Sequence, residues 1–146
     1  VAPRRLEVRV PVSAGRLAGL DVASLREQVV RMLRLHKADS DTARAFASRN
    51  RDLAARGPCG RLFRSPCIFE DIVKTFTLCN CGWSRSLSMN EALCSRVGNG
   101  AFPSAEELSR VSARWLRAHC GVGYRAERIV RLARRAASSE LDLAAL

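Results

Sequence analysis

The chain has 146 residues, of which 47% are apolar, and this fits one domain with a buried core and excludes a disordered protein. It has 25 basic and 14 acidic residues, and 23 of the basic residues are arginine. Because the arginine guanidinium donates two parallel hydrogen bonds to a phosphate group, an acidic polymer is the natural partner. A GC-rich coding sequence would also explain arginine in place of lysine, but it would not explain the net charge of +11. No stretch approaches the roughly 18 apolar residues of a membrane span, so we expect no membrane contact.

The first twenty residues form a region of their own. LEVRVPV, residues 6 to 12, alternates apolar and polar side chains and predicts one short β-strand. A single strand needs a partner, so we interpret residues 1–20 as a strand and linker that could remain from a preceding sheet. Val1 in place of methionine, and the ending ELDLAAL, indicate a fragment or a processed chain.

From residue 21 onward the apolar periodicity predicts helices. Asp21 is the expected N-cap of a helix over residues 22–35, and a more polar helix follows at about residues 40–56. Ser65 should cap the next helix, with Pro66 at its first position, where the missing N–H costs nothing. This is the most apolar helix, with Phe69, Ile72, Val73 and Phe76 at helical spacing.

The second half of the sequence continues in the same way. A helix over residues 84–97 should end at the GNG of residues 98–100, and Ser104 with Glu107 forms a capping box for a short helix. Another short helix is predicted at about residues 112–119. The final helix has Ala126, Ile129, Val130, Ala133 and Ala137 on one face and Arg128, Arg131 and Arg135 on the other. The sequence therefore predicts a mainly α protein, a compact helical bundle with one short N-terminal strand.

Six cysteines permit several kinds of chemistry. Reduced thiols are favoured over disulfides, because no secretory signal is visible and Cys67, Cys79, Cys94 and Cys120 occupy apolar helix positions. Cys79 and Cys81 have no second Cys or His pair at zinc spacing, and the usual redox motif separates its cysteines by two residues. We expect no metal site.

The sequence LCNCGWSR, residues 78–85, predicts a turn that presents polar side chains. An apolar helix ends near Asn80, Gly82 permits a sharp turn, and Arg85 projects from the first turn of the next helix. In the alternative interpretation Asn80 only caps its helix and Arg85 is a solvated charge. The pattern alone leaves both open.

The sequence CGVGYRAERIVRLARR, residues 120–135, predicts a tight hairpin between two helices. Gly121 and Gly123 permit the turn, and the N–H groups at the start of the second helix form an anion site. Residues 110–135 contain eight arginines and one acid, a local net charge of +7. Tyr124 at the tip is either a packing lid or a wedge between bases. The alternative is a solvated helix face with a Glu127–Arg131 pair.

Two blocks resemble the helix-hairpin-helix DNA glycosylases (HhH-GPD) of base-excision repair, most closely the oxoguanine DNA glycosylase branch and its plant versions. SPCIFEDIVKTFTLCNCGWSRSLSMNEALC is similar to the family's Pro-x-Glu helix, asparagine turn and arginine-bearing helix. FPSAEELSRVSARWLRAHCGVGYRAERIVRLARRA is similar to its Phe-Pro and Leu-Gly-x-Gly-Tyr-Arg-Ala segment. Together they cover residues 65–137, about half of the chain.

The resemblance implies a role for individual residues. Asn80 matches the asparagine that fills the gap left by a flipped base, and Tyr124 matches the aromatic wedge beside it. Arg85 and Arg125 match the arginines that hydrogen-bond the orphaned cytosine. The hairpin glycines, Gly121 and Gly123, and the arginine face with Arg128 would hold the DNA backbone.

The same resemblance implies that excision needs parts that this sequence lacks. The family uses a second hairpin with a catalytic lysine, followed by an aspartate, and nothing up to Leu146 matches them. Residues 21–146 are thus expected to be a partial glycosylase domain, with no catalytic residue and no cofactor. In a rival alignment the hairpin itself is the catalytic one, with Arg125 at the lysine position and Asp142 near the aspartate. Because arginine cannot attack a sugar, this version would be at most a monofunctional enzyme.

The expected function is therefore the DNA-binding part of a base-excision-repair glycosylase. Its partner would be double-stranded DNA that contains a damaged base, an oxidised purine by resemblance, and the protein would be a nuclear monomer. The alternative is a basic helical protein-interaction module without enzymatic activity, in which the arginine face meets an acidic protein.

Overall fold

The computed structural model describes residues 7, 21–57 and 62–143, except for the side chains of residues 37–39. Within these ranges the chain is mainly α, as predicted, and it contains no strand. The predicted strand at residues 6–12 lies outside the described residues apart from Glu7, which is exposed. The helices are α1 (Val22–Met32), α2 (Lys37–Arg49), α3 (Arg51–Ala54), α4 (Ile68–Leu78), α5 (Trp83–Arg96), α6 (Ala105–Ser109), α7 (Ala113–Cys120), a 3-10 helix (Gly123–Arg125) and α8 (Ala126–Ala137).

Helix α8 lies at the centre of the core. Its apolar side chains recur every three or four residues, so they form one stripe that packs against α6, α7 and α4. Two of the four buried residues of this stripe are alanines, which let neighbouring helices approach closely. The stripe consists of Ala126, Ile129, Val130 and Ala133, and Phe69, Val73, Met89, Leu93, Leu108, Leu116, Cys120 and Val122 complete the buried apolar core.

Helix α4 begins at Ile68, two residues after Pro66, the predicted first position. Ser65 is buried and does not cap the helix; its backbone N–H donates to Asp71 Oδ1 at 2.8 Å. Its hydroxyl accepts a hydrogen bond from Lys74 at 3.3 Å. The Asp71 carboxylate thus binds the entering chain from within the first turn of α4, and this explains why Ser65 and Pro66 remain outside the helix.

The connection between α5 and α6 agrees with the sequence pattern. Asn99 and Gly100 have left-handed backbones, with φ of 50° and 94°. A Cβ on Gly98 would lie 2.0 Å from the Ala101 carbonyl oxygen, so this position requires glycine for close approach. The predicted capping box is confirmed: Glu107 N–H donates to Ser104 Oγ at 3.2 Å, and Ser104 N–H donates to Glu107 Oε2 at 2.8 Å.

Helices α1 to α3 contribute little to the core, since α1 and α3 bury no side chain. Asp21 caps α1 as predicted, accepting from Ala23 N–H at 3.0 Å. The helix predicted at residues 40–56 is interrupted at Asn50, whose φ and ψ of −128° and 61° are not helical. An ion pair of 2.6 Å between Arg31 and Asp71 connects α1 to α4.

Two leucines of α5 provide a matched test of this core. Leu93 is fully buried, whereas Leu87 is 44% exposed on the same helix. We predict that Leu93→Ala lowers the free energy of unfolding by about 2–5 kcal/mol, because it removes a buried side chain and leaves a cavity. Leu87→Ala should cost about 1 kcal/mol or less. Urea denaturation followed by circular dichroism measures both, and equal losses would contradict the packing described here.

Candidate nucleic-acid interface

The first element of the site is the Asn80 turn, residues 78–83, which joins α4 to α5. Asn80 has a φ of 49°, the left-handed region that asparagine tolerates better than most residues. Gly82, which the sequence predicted as the bending residue, is extended, with φ of −73° and ψ of 160°. The bend therefore lies at Asn80 itself, and the exposed side chain projects from its most curved point.

A buried polar network supports this turn from below. The Thr77 and Ser86 hydroxyl oxygens lie 3.1 Å apart, and both side chains are buried. Asn90 Nδ2 donates to Thr77 Oγ1 at 3.1 Å, so the network connects the end of α4 to the first two turns of α5. Sequence analysis missed these residues, although polar side chains at core positions of two neighbouring helices were a usable signal.

The second element is the glycine hairpin, residues 120–125, between α7 and α8. Gly121 and Gly123 have φ of 65° and 59°, so both occupy the left-handed region that other residues rarely adopt, as the predicted turn requires. Val122 between them is fully buried and fastens the hairpin to the core. The first N–H groups of a helix have no carbonyl partner in that helix, and those at the start of the 3-10 helix form the predicted anion site.

The structure brings the Asn80 turn and the glycine hairpin into direct contact. Asn80 Nδ2 donates to the Tyr124 hydroxyl at 3.3 Å, although the two residues are 44 positions apart in the sequence. Tyr124 is 52% exposed, so its ring is not the internal packing lid of the alternative interpretation. An amide and a phenol thus form one polar, aromatic edge on the surface.

Arg125 lies directly behind this edge and is only 6% exposed. Its guanidinium donates to the Cys79 carbonyl oxygen in the Asn80 turn, and to the Val122 carbonyl oxygen at 3.4 Å. The guanidinium carbon lies 4.6 Å from the centroid of the Tyr124 ring, a cation–π distance. Of the arginines predicted to contact DNA, this one faces the protein in the free chain.

The other predicted arginines are exposed. Arg85 lies on the first turn of α5, five positions after Asn80, and Arg128 lies on the first turn of α8. Within residues 21–57 and 62–143, neither forms an ion pair. Both guanidinium groups therefore face solvent and can bind an anion. The remaining arginines of residues 110–135 are also exposed, namely Arg110, Arg114, Arg117, Arg131, Arg134 and Arg135.

Glu127, the single acid in this region, pairs with Arg117 of α7 and not with Arg131 as the alternative interpretation proposed. Hydrogen bonding to its own backbone N–H, followed by the bond from Arg117, lowers the pKa of Glu127. The ion pair joins α7 to α8, and Arg128 and Arg131 are exposed on α8.

A groove beside the Asn80 turn was not predicted. It has a volume of about 620 Å³ and lies between α4, α5 and the segment around Phe102. Leu78, Trp83 and Leu87 line it and are 45%, 69% and 44% exposed. Trp83 and Leu87 are four residues apart on α5, so this second apolar stripe was visible in the sequence beside the buried one.

The prediction that four thiols pack at apolar helix positions is confirmed for Cys94 and Cys120 and is wrong for Cys67 and Cys79, which flank α4. Cys120 is buried and Cys94 half-buried, whereas Cys67 and Cys79 are exposed. Burial raises the pKa of both Cys94 and Cys120. In the Asn80 turn, Cys81 is half-buried against the core and its thiol donates to the Thr77 carbonyl oxygen at 2.9 Å. No group of three or more metal-ligating side chains occurs in the described part of the chain.

No protein-family model and no curated protein matches this sequence. Among the described helices, none is both long and apolar enough to cross a membrane.

We predict a clear order of thiol reactivity from these positions. Cys67 and Cys79 should react with N-ethylmaleimide much faster than Cys120, because Cys120 is buried and its raised pKa reduces the thiolate fraction. Timed labelling followed by peptide mass spectrometry measures the rate at each cysteine. Labelling of Cys120 as fast as Cys79 would show that α7 does not pack as described.

Proposed function

We propose that this chain is the DNA-binding part of a base-excision-repair glycosylase of the helix-hairpin-helix kind, and that it contacts the strand opposite a flipped, damaged base. The observation that supports this proposal most strongly is the exposed contact between Asn80 and Tyr124. Two bends that are distant in sequence contribute one hydrogen-bonding amide and one aromatic ring to the same edge. A gap in a base stack needs both kinds of group.

The energetics of base flipping account for this combination. Extruding a base costs a few kcal/mol of stacking and pairing, and inserted side chains offset part of that loss. The Tyr124 ring can stack on a neighbouring base, while the Asn80 amide can both donate to and accept from an unpaired base edge. The hydrogen bond between them in the free chain keeps both groups oriented before DNA arrives.

The arginines supply the affinity for the backbone. Arg85 follows Asn80 by five residues on α5 and Arg128 follows Tyr124 by four on α8, and their exposed guanidinium groups suit phosphate oxygens or the acceptors of an orphaned cytosine. The N–H groups at the glycine hairpin add a phosphate site that carries no sequence information. In this proposal the protein recognises a gap and its orphaned base.

We do not assign excision to this chain. Catalysis in the proposed family uses a nucleophilic lysine, and Lys74, the one lysine whose side chain the structure describes, is engaged elsewhere: it pairs with Glu70 at 2.6 Å and lies 5.5 Å from the Phe102 ring centroid. The rival alignment places Arg125 at the lysine position, and a guanidinium that stays protonated cannot attack a sugar. The chain should therefore bind damaged duplexes without cleaving them.

The alternative, a basic module that binds an acidic protein through its arginine face, uses the same charges but does not use Asn80 or Tyr124. The two proposals therefore differ in what these side chains contribute. A protein-binding module would not distinguish a duplex that contains a gap from an intact one.

Salt dependence gives the first test. Each neutralised phosphate contributes about 0.9 to the slope of log Kd against log salt, so contacts by Arg85, Arg128 and Arg131 predict a slope of roughly 3. Fluorescence anisotropy with a short labelled duplex, measured over a series of potassium chloride concentrations, gives the slope. A Kd that does not change with salt would refute binding through the arginine face.

Substitutions at the contact edge give the second test. Asn80→Ala and Tyr124→Ala should each weaken binding to a duplex with an abasic site by about 5- to 10-fold, because each removes one hydrogen bond or one stacking contact. The effect on an intact duplex should be smaller. Asn99→Ala is the matched control, because Asn99 is also exposed and has a φ of 50° at a helix end. Equal losses on both duplexes would identify a simple backbone binder.

A further inference from the structure

The burial of Arg125 needs an explanation that the proposed function does not give. Arginine is rarely buried unless an acid pairs with it, and no carboxylate pairs with Arg125 in the described part of the chain. Its partners are the Cys79 and Val122 carbonyl oxygens and the face of the Tyr124 ring. Its Nε has no hydrogen-bond partner among the described residues, although it is buried. Such a costly arrangement indicates a specific role.

The geometry of the Cys79 contact indicates what that role is. The Cys79 carbonyl oxygen lies in the same rigid peptide plane as the Asn80 nitrogen, because the peptide bond is planar. A donor that fixes this oxygen therefore fixes the plane from which Asn80 enters its left-handed conformation. The same guanidinium lies against the Tyr124 ring, so it restrains both partners of the Asn80–Tyr124 hydrogen bond.

We propose that Arg125 is a positioning residue: it orients the Asn80 amide and the Tyr124 ring from behind, and it does not contact a base. Only its consequence for DNA binding depends on the proposed function, since the coupling between the two bends exists in the free chain. A planar guanidinium is required because it must reach two carbonyl oxygens and stack on a ring at the same time. An ammonium group offers a point charge without this shape.

The test compares Arg125→Met and Arg125→Lys with Arg128→Met in the full chain. Met keeps an apolar stem of similar length, and Lys keeps the charge. Arg128→Met removes an exposed arginine one turn further along, from the arginine face itself. Tyr124→Phe serves as the reference for loss of the Asn80 contact, because it removes only the hydroxyl that accepts the bond.

The first measurement needs no DNA. In ¹⁵N-labelled protein, the side-chain amide signals of Asn80 should shift in Arg125→Met and Arg125→Lys toward their positions in Tyr124→Phe. They should not move in Arg128→Met. Unchanged Asn80 signals in both Arg125 variants would overturn the proposal. If these variants do not fold, the rate at which the Arg125 Nε proton exchanges with water in the unaltered protein provides the test. Slow exchange supports the buried guanidinium contact with Cys79, and exchange as fast as at Arg128 refutes it.

The second measurement uses duplexes with an abasic site opposite each of the four bases, and an intact duplex. Both Arg125 variants should reduce the preference for the abasic duplex by about 5-fold, the effect of one lost hydrogen bond, whichever base is opposite. Arg128→Met should weaken binding to all duplexes alike and lower the salt slope by about 0.9. A selective loss of preference for cytosine, with Asn80 signals unchanged, would show instead that Arg125 contacts the base.

The two measurements also separate this proposal from the proposed function. If the unaltered protein fails to bind any duplex, the proposed function is wrong, and the amide signals still show whether Arg125 positions Asn80. If the protein binds abasic duplexes but the Arg125 variants match the unaltered protein in both measurements, the positioning role is wrong and the DNA-binding proposal stands.

Discussion

The contact between the Arg125 guanidinium and the Cys79 carbonyl oxygen joins two bends that are 46 residues apart, and the candidate site depends on it. The helices on either side place the bends near each other, since α4 and α8 pack together. Helix packing alone sets the separation of two helix ends and leaves the rotation of each connecting peptide undefined. A buried donor between two carbonyl oxygens sets that rotation, because an unsatisfied polar group in the interior is costly.

The distribution of charge follows from the same arrangement. The α8 stripe faces inward with alanine, isoleucine and valine, so the arginines of that helix must face outward, and they lie close to one another along its surface. Within residues 110–135 the one acid is Glu127, and it pairs with Arg117 at the hairpin end of the helix. Such a surface repels itself, and an anionic partner relieves the repulsion. Arg125 is the exception in this region, since it is buried and its guanidinium donates to the protein's own carbonyl oxygens.

Much of the fold could be predicted because it depends on local periodicity. The apolar spacing of α8, the Asp21 cap of α1 and the capping box at Ser104 involve residues within one or two turns, and each is confirmed. The start of α4 could not be predicted in this way. Ser65 followed by Pro66 is a common local signal for the start of a helix. Here the Asp71 carboxylate accepts a hydrogen bond from the Ser65 N–H and holds these two residues outside the helix. The sequence also does not show that α1 is joined to α4 by the polar contact between Arg31 and Asp71.

The sequence by itself determined most of the helices, the positive charge and the positions of the two bends that carry Asn80 and Tyr124. Each of these follows from short-range rules of spacing, capping and backbone conformation. Only the tertiary structure decided that the two bends touch, that the bend of the first lies at Asn80 and not at Gly82, and that Arg125 faces inward. The physical reason is that an arginine is buried only where hydrogen-bond acceptors surround its guanidinium. For Arg125 one of these acceptors is the Cys79 carbonyl oxygen, 46 residues away in the sequence.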